Sequence, residues 1–141
     1  MPSRQATKAD LASEIWRRIF DLIVKTAPQR SRTLAELKLT PNDSRAVASL
    51  DDIGRPMGDL AAEWQCDAST ATWIVDRLEA KGLAERRPHA TDRRTRLVVL
   101  TPLGRETRAR LFASTYTPPA ELLALDRADL VLLRDAVRRL P

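Results

Sequence analysis

Three pieces of sequence decide the fold. They are Val75-Asp76-Arg77-Leu78-Glu79-Ala80-Lys81-Gly82-Leu83, then Asp92-Arg93-Arg94, then Leu100-Thr101-Pro102-Leu103-Gly104. Upstream of Gly82, Ala71, Ile74, Val75 and Leu78 repeat as i, i+3, i+4, i+7, which makes one buried stripe on a helix. The opposite face carries Ser69, Thr70, Thr72, Trp73, Asp76 and Arg77. Asp67 is placed to cap this helix at its start, and Gly82 behind Lys81 to cap its end. Downstream of Gly82 the period changes. Leu83–Arg87 and Arg96–Leu100 are short strand candidates, and the polar segment 88–95 between them is a turn. The pair predicts a β-hairpin with arginines at its tip. Thr101-Pro102 then combines a cap residue with a first-turn proline and opens another helix.

Further upstream, Met57–Trp64 predicts a short helix with Leu60 and Ala61 inward. It joins the 67–81 helix through a tight turn at Gln65-Cys66. Asp51-Asp52-Ile53-Gly54-Arg55-Pro56 is loop-like in composition. Thr40-Pro41-Asn42-Asp43 is a strong helix start, with Thr40 as cap and Asp43 near the positive end of the helix dipole. From Asp10, the residues Leu11, Ile15, Ile19, Leu22 and Ile23 recur at helical spacing beside Trp16 and Phe20, and Pro28 is expected to end that helix. A short helical piece is expected around Leu34 and Leu37. At the other end Pro118-Pro119 interrupts the chain, and Asp126 caps a last helix bearing Leu130, Leu133, Val137 and Leu140.

Composition narrows the function. The chain has 141 residues, 43% of them hydrophobic and 30% charged, which suits one globular domain of ordinary size. No apolar run approaches the ~18 residues of a membrane span. The polar start MPSRQATKADLASE lacks a signal-peptide core, so a cytoplasmic location is expected. One cysteine, Cys66, and one histidine, His89, exclude an internal disulfide framework and fall short of the four ligands of a Cys/His zinc site, which is not expected. No nucleophile–base pair with a histidine or metal partner is present, so no enzyme, metal or cofactor is expected. Between Leu83 and Arg110 eight arginines face three acids, an excess equal to the whole net charge of +5. Arginine's planar fork suits phosphates and base edges. A charge cluster of this kind is also commonly a plain solvated face.

The order short helix, turn, longer helix, basic hairpin is that of a winged helix-turn-helix, in which the second helix enters a major groove. The sequence resembles the MarR family of dimeric bacterial transcription regulators. The resemblance is carried by Leu60-Ala61, Ser69-Thr70-Ala71-Thr72, the Val75–Leu83 helix end, Asp92-Arg93-Arg94 and Leu100-Thr101. It implies a mainly α fold with a small β-hairpin wing and a helical dimerisation region. It divides the chain into a flexible tail (1–9), N-terminal dimerisation helices (10–39), a DNA-binding domain (40–101) and C-terminal dimerisation helices (102–141). Ser69, Thr70, Thr72, Trp73 and Arg77 would face DNA from the recognition helix, with Arg77 holding the wing or the backbone. Asp92, Arg93, Arg94 and Arg96 would do so from the wing, with Asp92 orienting the arginines and Arg94 in the minor groove. The partners implied are double-stranded DNA with a near-palindromic operator, a second copy of the chain, and a small aromatic effector; no membrane is implied. Trp16, Phe20, Phe112 and Tyr116 are candidates for the effector cleft, or plain core. Trp73 departs from the polar residues common at its position. It reads either as a thymine or sugar contact or as packing over the neighbouring helix. Arg105, Arg108 and Arg110 read as phosphate contacts or a solvated helix face, Cys66 as a buried thiol. The competing function is a winged-helix protein–protein module without sequence-specific DNA binding.

Overall fold

A computed structural model of the chain describes residues 5–141. Ten elements follow in order: α1 (Lys8–Glu36), α2 (Pro41–Ser49), β1 (Arg55–Pro56), α3 (Met57–Trp64), α4 (Ala68–Ala80), β2 (Ala84–Pro88), β3 (Arg96–Leu100), α5 (Pro102–Tyr116), α6 (Ala120–Leu123) and α7 (Arg127–Val137). The fold is mainly helical with a small antiparallel sheet, as the hydrophobic periods predict. Two compact units divide it, Pro28–Tyr116 and, separately, the residues up to Ala27 with Thr117–Pro141.

The unit Pro28–Tyr116 holds the core. The stripe Ala71, Ile74, Val75 and Leu78 of α4 is buried, as its spacing requires, against Leu60 and Trp64 of α3, Ala46 and Val47 of α2, and Leu111 of α5. Val98 and Leu100 of β3 close the cluster from the sheet side. Each fully buried large apolar side chain contributes about 1.5–3 kcal/mol. The one indole in this core is hydrogen-bonded: Trp64 Nε1 donates to Ser49 Oγ at 2.9 Å.

Local signals set the ends of these elements. Thr40 and Asp43 form a capping box, each side chain accepting the other's amide at 3.1 Å, with Pro41 in the first turn. Gln65 takes a left-handed conformation (φ 54°) and makes the turn between α3 and α4. Gly82 has φ +71°, the left-handed stop that follows α4. Thr101 then ties the start of α5 to that stop: its hydroxyl donates to the Gly82 carbonyl at 2.6 Å and accepts the Gly104 amide at 3.0 Å. Gly104 is required by contact rather than by dihedral angle, because a Cβ there would lie 1.9 Å from the Leu83 carbonyl oxygen.

The hairpin is present, with Ala84 opposite Leu100 and Pro88 opposite Arg96. It belongs to a three-stranded sheet of order β1-β3-β2. The segment read as loop at 51–56 therefore supplies an edge strand, Arg55 pairing with Val98 and Pro56 with Leu97. Two residues are too few to show alternation, and proline is admissible on an edge.

Two boundaries at the N-terminus differ from expectation. Helix α1 begins at Lys8, so Lys8 and Ala9 do not belong to a tail. Thr7 and Asp10 form the cap, with the Asp10 carboxylate accepting the Thr7 amide at 2.9 Å and hydroxyl at 2.7 Å. Residues 1–4 of the expected tail lie outside the described residues. Pro28 also fails to end the helix, which continues to Glu36. Proline forfeits one amide bond and crowds the preceding turn. Downstream helix formers such as Gln29, Arg30 and Leu34 continue the helix, and Leu34 and Leu37 pack on the core of the Pro28–Tyr116 unit.

In the second unit, α6 and α7 accompany the first part of α1. Asp126 caps α7 by accepting the Asp129 amide at 2.9 Å. An ion pair joins Lys25 to Glu121. No residue of α6, α7 or α1 is buried. A groove of about 630 Å³ runs between Ile15, Ile19 and Leu22 on one side and Leu122, Leu125 and Leu133 on the other.

Candidate nucleic-acid interface

Helix α4 turns its buried stripe inward, which leaves Ser69, Thr70, Thr72, Trp73 and Asp76 exposed. The N-terminal end is tightly organised. The Asp67 carboxylate accepts the Thr70 amide and the Ser69 hydroxyl, both at 2.7 Å. Those two donors hold its carboxyl below the usual aspartate range. Ser69 thus spends its proton on the cap and offers an oxygen acceptor outward.

Of the two roles expected for Arg77, holding the wing is not what its hydrogen bonds do. Its Nε and Nη2 donate to the two oxygens of Asp43 on α2, at 3.2 and 3.0 Å, and among the described residues it makes no hydrogen bond or ion pair to the wing. Asp43 is 1% exposed. Burial pushes its carboxyl upward, but hydrogen bonds from Arg77 and Thr40 and the guanidinium charge outweigh that, and it titrates below the usual range. The Arg77 guanidinium carbon also lies 4.9 Å from the centre of the Trp73 ring.

The link between wing and recognition helix is Arg86, which sequence reading counted only as part of the basic cluster. Its guanidinium bonds Asp76 at 2.8 Å and also pairs with Glu79, and the Glu79 carboxylate accepts the Arg86 amide at 3.0 Å. Strand β2 is thereby fastened to the exposed side of α4. Partners seven and ten residues away leave no periodic signal in sequence.

The wing turn is built from its own side chains. Asp92 Oδ2 accepts the Thr95 hydroxyl at 2.7 Å, and Oδ1 accepts the Arg94 amide at 2.9 Å. These two bonds hold its carboxyl below the ordinary range. Asp92 therefore shapes the backbone that carries the arginines and bonds none of their guanidinium groups. His89 Nδ1 accepts the amides of Thr91 and Asp92, at 3.2 and 3.1 Å.

The arginine cluster sorts into two groups. Arg86 is paired as described, Arg87 with Glu85, Arg105 with Asp52 and Arg110 with Glu36. Arg108 lies over the Phe112 ring and donates to the Ala48 carbonyl at 3.4 Å. Arg93, Arg94 and Arg96, at the wing tip, are exposed and have no carboxylate partner among the described residues. The free positive charge of the segment is concentrated there.

The four aromatics of the expected effector cleft fall in two pairs. Phe112 and Tyr116 meet edge-on at 5.5 Å in the Pro28–Tyr116 unit. They border a pocket of about 280 Å³ that Arg30, Thr33, Ser44 and Arg45 also line. Trp16 and Phe20 form a tilted pair at 6.3 Å in the other unit, exposed on α1. Cys66 is half-buried against the core and unpaired. Among the described residues no helix is long and apolar enough to cross a membrane, and no group of three acidic, cysteine or histidine side chains could hold a metal.

Fold and surface together define a winged helix-turn-helix protein. The model of the MarR family matches residues 29–95, the segment that holds the helix-turn-helix and most of the wing. Over those residues the chain is similar to the MarR family, as the resemblance of its motifs implied. Solved structures agree along nearly the whole length. The YusO protein of Bacillus subtilis is 24% identical with a TM-score of 0.74, covering 95% of this chain and 96% of its own. AbsC, a MarR family transcriptional regulator from Streptomyces coelicolor, is 27% identical with a TM-score of 0.60, covering 96% of this chain and 93% of its own. MepR of S. aureus, solved as a complex with DNA, is 18% identical with a TM-score of 0.67, covering 90% of this chain and 95% of its own. No curated protein sequence matches the chain.

Proposed function

We propose that this chain is a cytoplasmic, sequence-specific DNA-binding regulator rather than an enzyme, that it works as a homodimer on a near-palindromic operator, and that a small aromatic effector controls its affinity. The observation that carries the reading is the combination of Arg93, Arg94 and Arg96, left without carboxylate partners at the wing tip, with a short-chain hydroxyl face on the helix to which that wing is fastened. Backbone and minor-groove contacts favour unpaired arginine, and Thr72 and the Ser69 oxygen are short enough to meet base edges. A solved structural neighbour, MepR of S. aureus, is itself bound to DNA.

Dimerisation is supported by the second unit. Leu11, Ile15, Trp16, Phe20 and Val24 of α1 and Leu132, Val137 and Leu140 at the C-terminal end are each at least half exposed. So much apolar surface on a single chain calls for a partner, and a second copy brings its recognition helix to a half-site one turn of DNA away. The pocket beside Phe112 and Tyr116 combines aromatic walls with Arg30 and Arg45, which suits an aromatic effector. An effector that favours a separation of the two α4 helices unsuited to successive major grooves lowers affinity by population shift.

The test is selection of bound fragments from genomic DNA at two salt concentrations, followed by release assays with aromatic compounds. Recovery of a palindrome with steep salt dependence supports the reading. Absence of any selected sequence refutes it and favours a protein-binding module.

A further inference from the structure

We infer that Trp73 is a thymine-reading residue, its indole held ready for a thymine methyl group by a strut made of Arg77 and Asp43. The inference rests on the DNA-binding reading and adds to it the chemistry that one side chain recognises. Trp73 is 55% exposed, whereas Trp64 on the adjacent helix is 7% exposed and hydrogen-bonded through its ring nitrogen. The two indoles have different roles: Trp64 fills the core, and Trp73 stands on the hydroxyl-bearing face of α4. Packing over the neighbouring helix, the alternative open from sequence, would have covered it.

The side chain is also held in place. Arg77, one turn further along α4, lies over the ring at 4.9 Å. Arg77 is itself fixed by two hydrogen bonds to Asp43, whose carboxylate is buried and anchored by the Thr40 capping box. A guanidinium held at two nitrogens has lost the freedom to swing toward a phosphate. One side of the indole is thereby covered, and the remaining surface is presented with little rotamer entropy left to lose. In the major groove thymine alone displays a methyl group, the natural contact for a rigid apolar edge. The strut pairs one positive with one negative group, so Trp73 adds discrimination without adding a phosphate contact.

The experiment uses the full chain and the operator recovered by selection. Each thymine is replaced singly by deoxyuridine, which removes only the methyl, and binding is read by fluorescence anisotropy across a salt series. Wild type is expected to lose about fourfold in affinity at one thymine per half-site, the worth of one buried methyl. Trp73→Ala should bind wild-type and uracil operators equally, with an unchanged salt slope. Arg77→Lys, which keeps the charge but loses the two-point hold, should shrink the uracil penalty while circular dichroism shows a folded protein. A full uracil penalty in Trp73→Ala, or no uracil-sensitive thymine in the operator, overturns the inference and leaves the DNA-binding reading standing. An undiminished penalty in Arg77→Lys overturns the strut. Failure to recover an operator overturns both readings.

Discussion

Replacing Asp43 by alanine is the sharpest perturbation of the helix-turn-helix that changes no residue of its outer surface. The carboxylate accepts two bonds from Arg77 and one from the Thr40 amide, at 3.2, 3.0 and 3.1 Å. Loss of the reciprocal half of a capping box costs about 1 kcal/mol. Loss of a buried charge-assisted pair costs about 3–5 kcal/mol when its partner stays buried. The Arg77 side chain is 34% exposed and regains water, so about 2 kcal/mol is the appropriate share for the pair. The sum is about 3 kcal/mol, or a fall in Tm of about 10 °C for a chain of this size. Urea unfolding at fixed protein concentration measures it, since dimer stability depends on concentration. The double variant with Arg77→Ala should show a coupling energy above about 1 kcal/mol. The sign with pH follows from the carboxyl's position below the ordinary aspartate value of 3.8. The stabilisation by ionised Asp43 is full above that value and is lost as pH falls through the lower value of the folded state, so variant and wild type should converge in acid. A loss under about 1 kcal/mol at neutral pH, or coupling near zero, would refute the strut.

Other consequences are equally direct. Arg94→Ala should weaken operator binding and lower the salt slope by about one unit, as a salt titration would show; an unchanged slope removes Arg94 from the interface. Gly104→Ala forces a Cβ against the Leu83 carbonyl oxygen, at 1.9 Å, and should cost about 2 kcal/mol or more in thermal unfolding. Truncation before Pro118 removes α6 and α7 and should yield a monomer in sedimentation, whereas a tight dimer would show that residues 118–141 are not the clasp. His89→Ala removes the acceptor for two turn amides and should raise amide exchange at Thr91 and Asp92 without altering the core.

Much of this was legible because it is written locally. The i, i+3, i+4, i+7 stripe of α4, the Thr40 and Asp126 caps and the Gly82 stop each depend on residues within a turn or two. What sequence left hidden is non-local. The Asp43–Arg77 pair spans 34 residues, and nothing in either helix alone marks it. Arg86 could not be told from the unpaired wing arginines, because pairing depends on where β2 meets α4. Strand β1 is set by the partner strand rather than by its own two residues. Pro28 misled because its penalty of about 3 kcal/mol is opposed by the helix formers that follow it and by the packing of Leu34 on the core. For the candidate site, the residue types were legible, and their division into struts and free groups was not.

Tethered DNA cleavage, with an iron chelate attached through Ala68→Cys on α4 or Thr91→Cys in the wing turn in a Cys66→Ala background, tests the central claim most directly, because both positions are exposed and neither is a proposed DNA contact. Binding through α4 and the wing predicts cuts inside each half-site from position 68 and flanking cuts from position 91, symmetric about the operator centre. Cleavage that is absent, or the same on operator and random DNA, would contradict it.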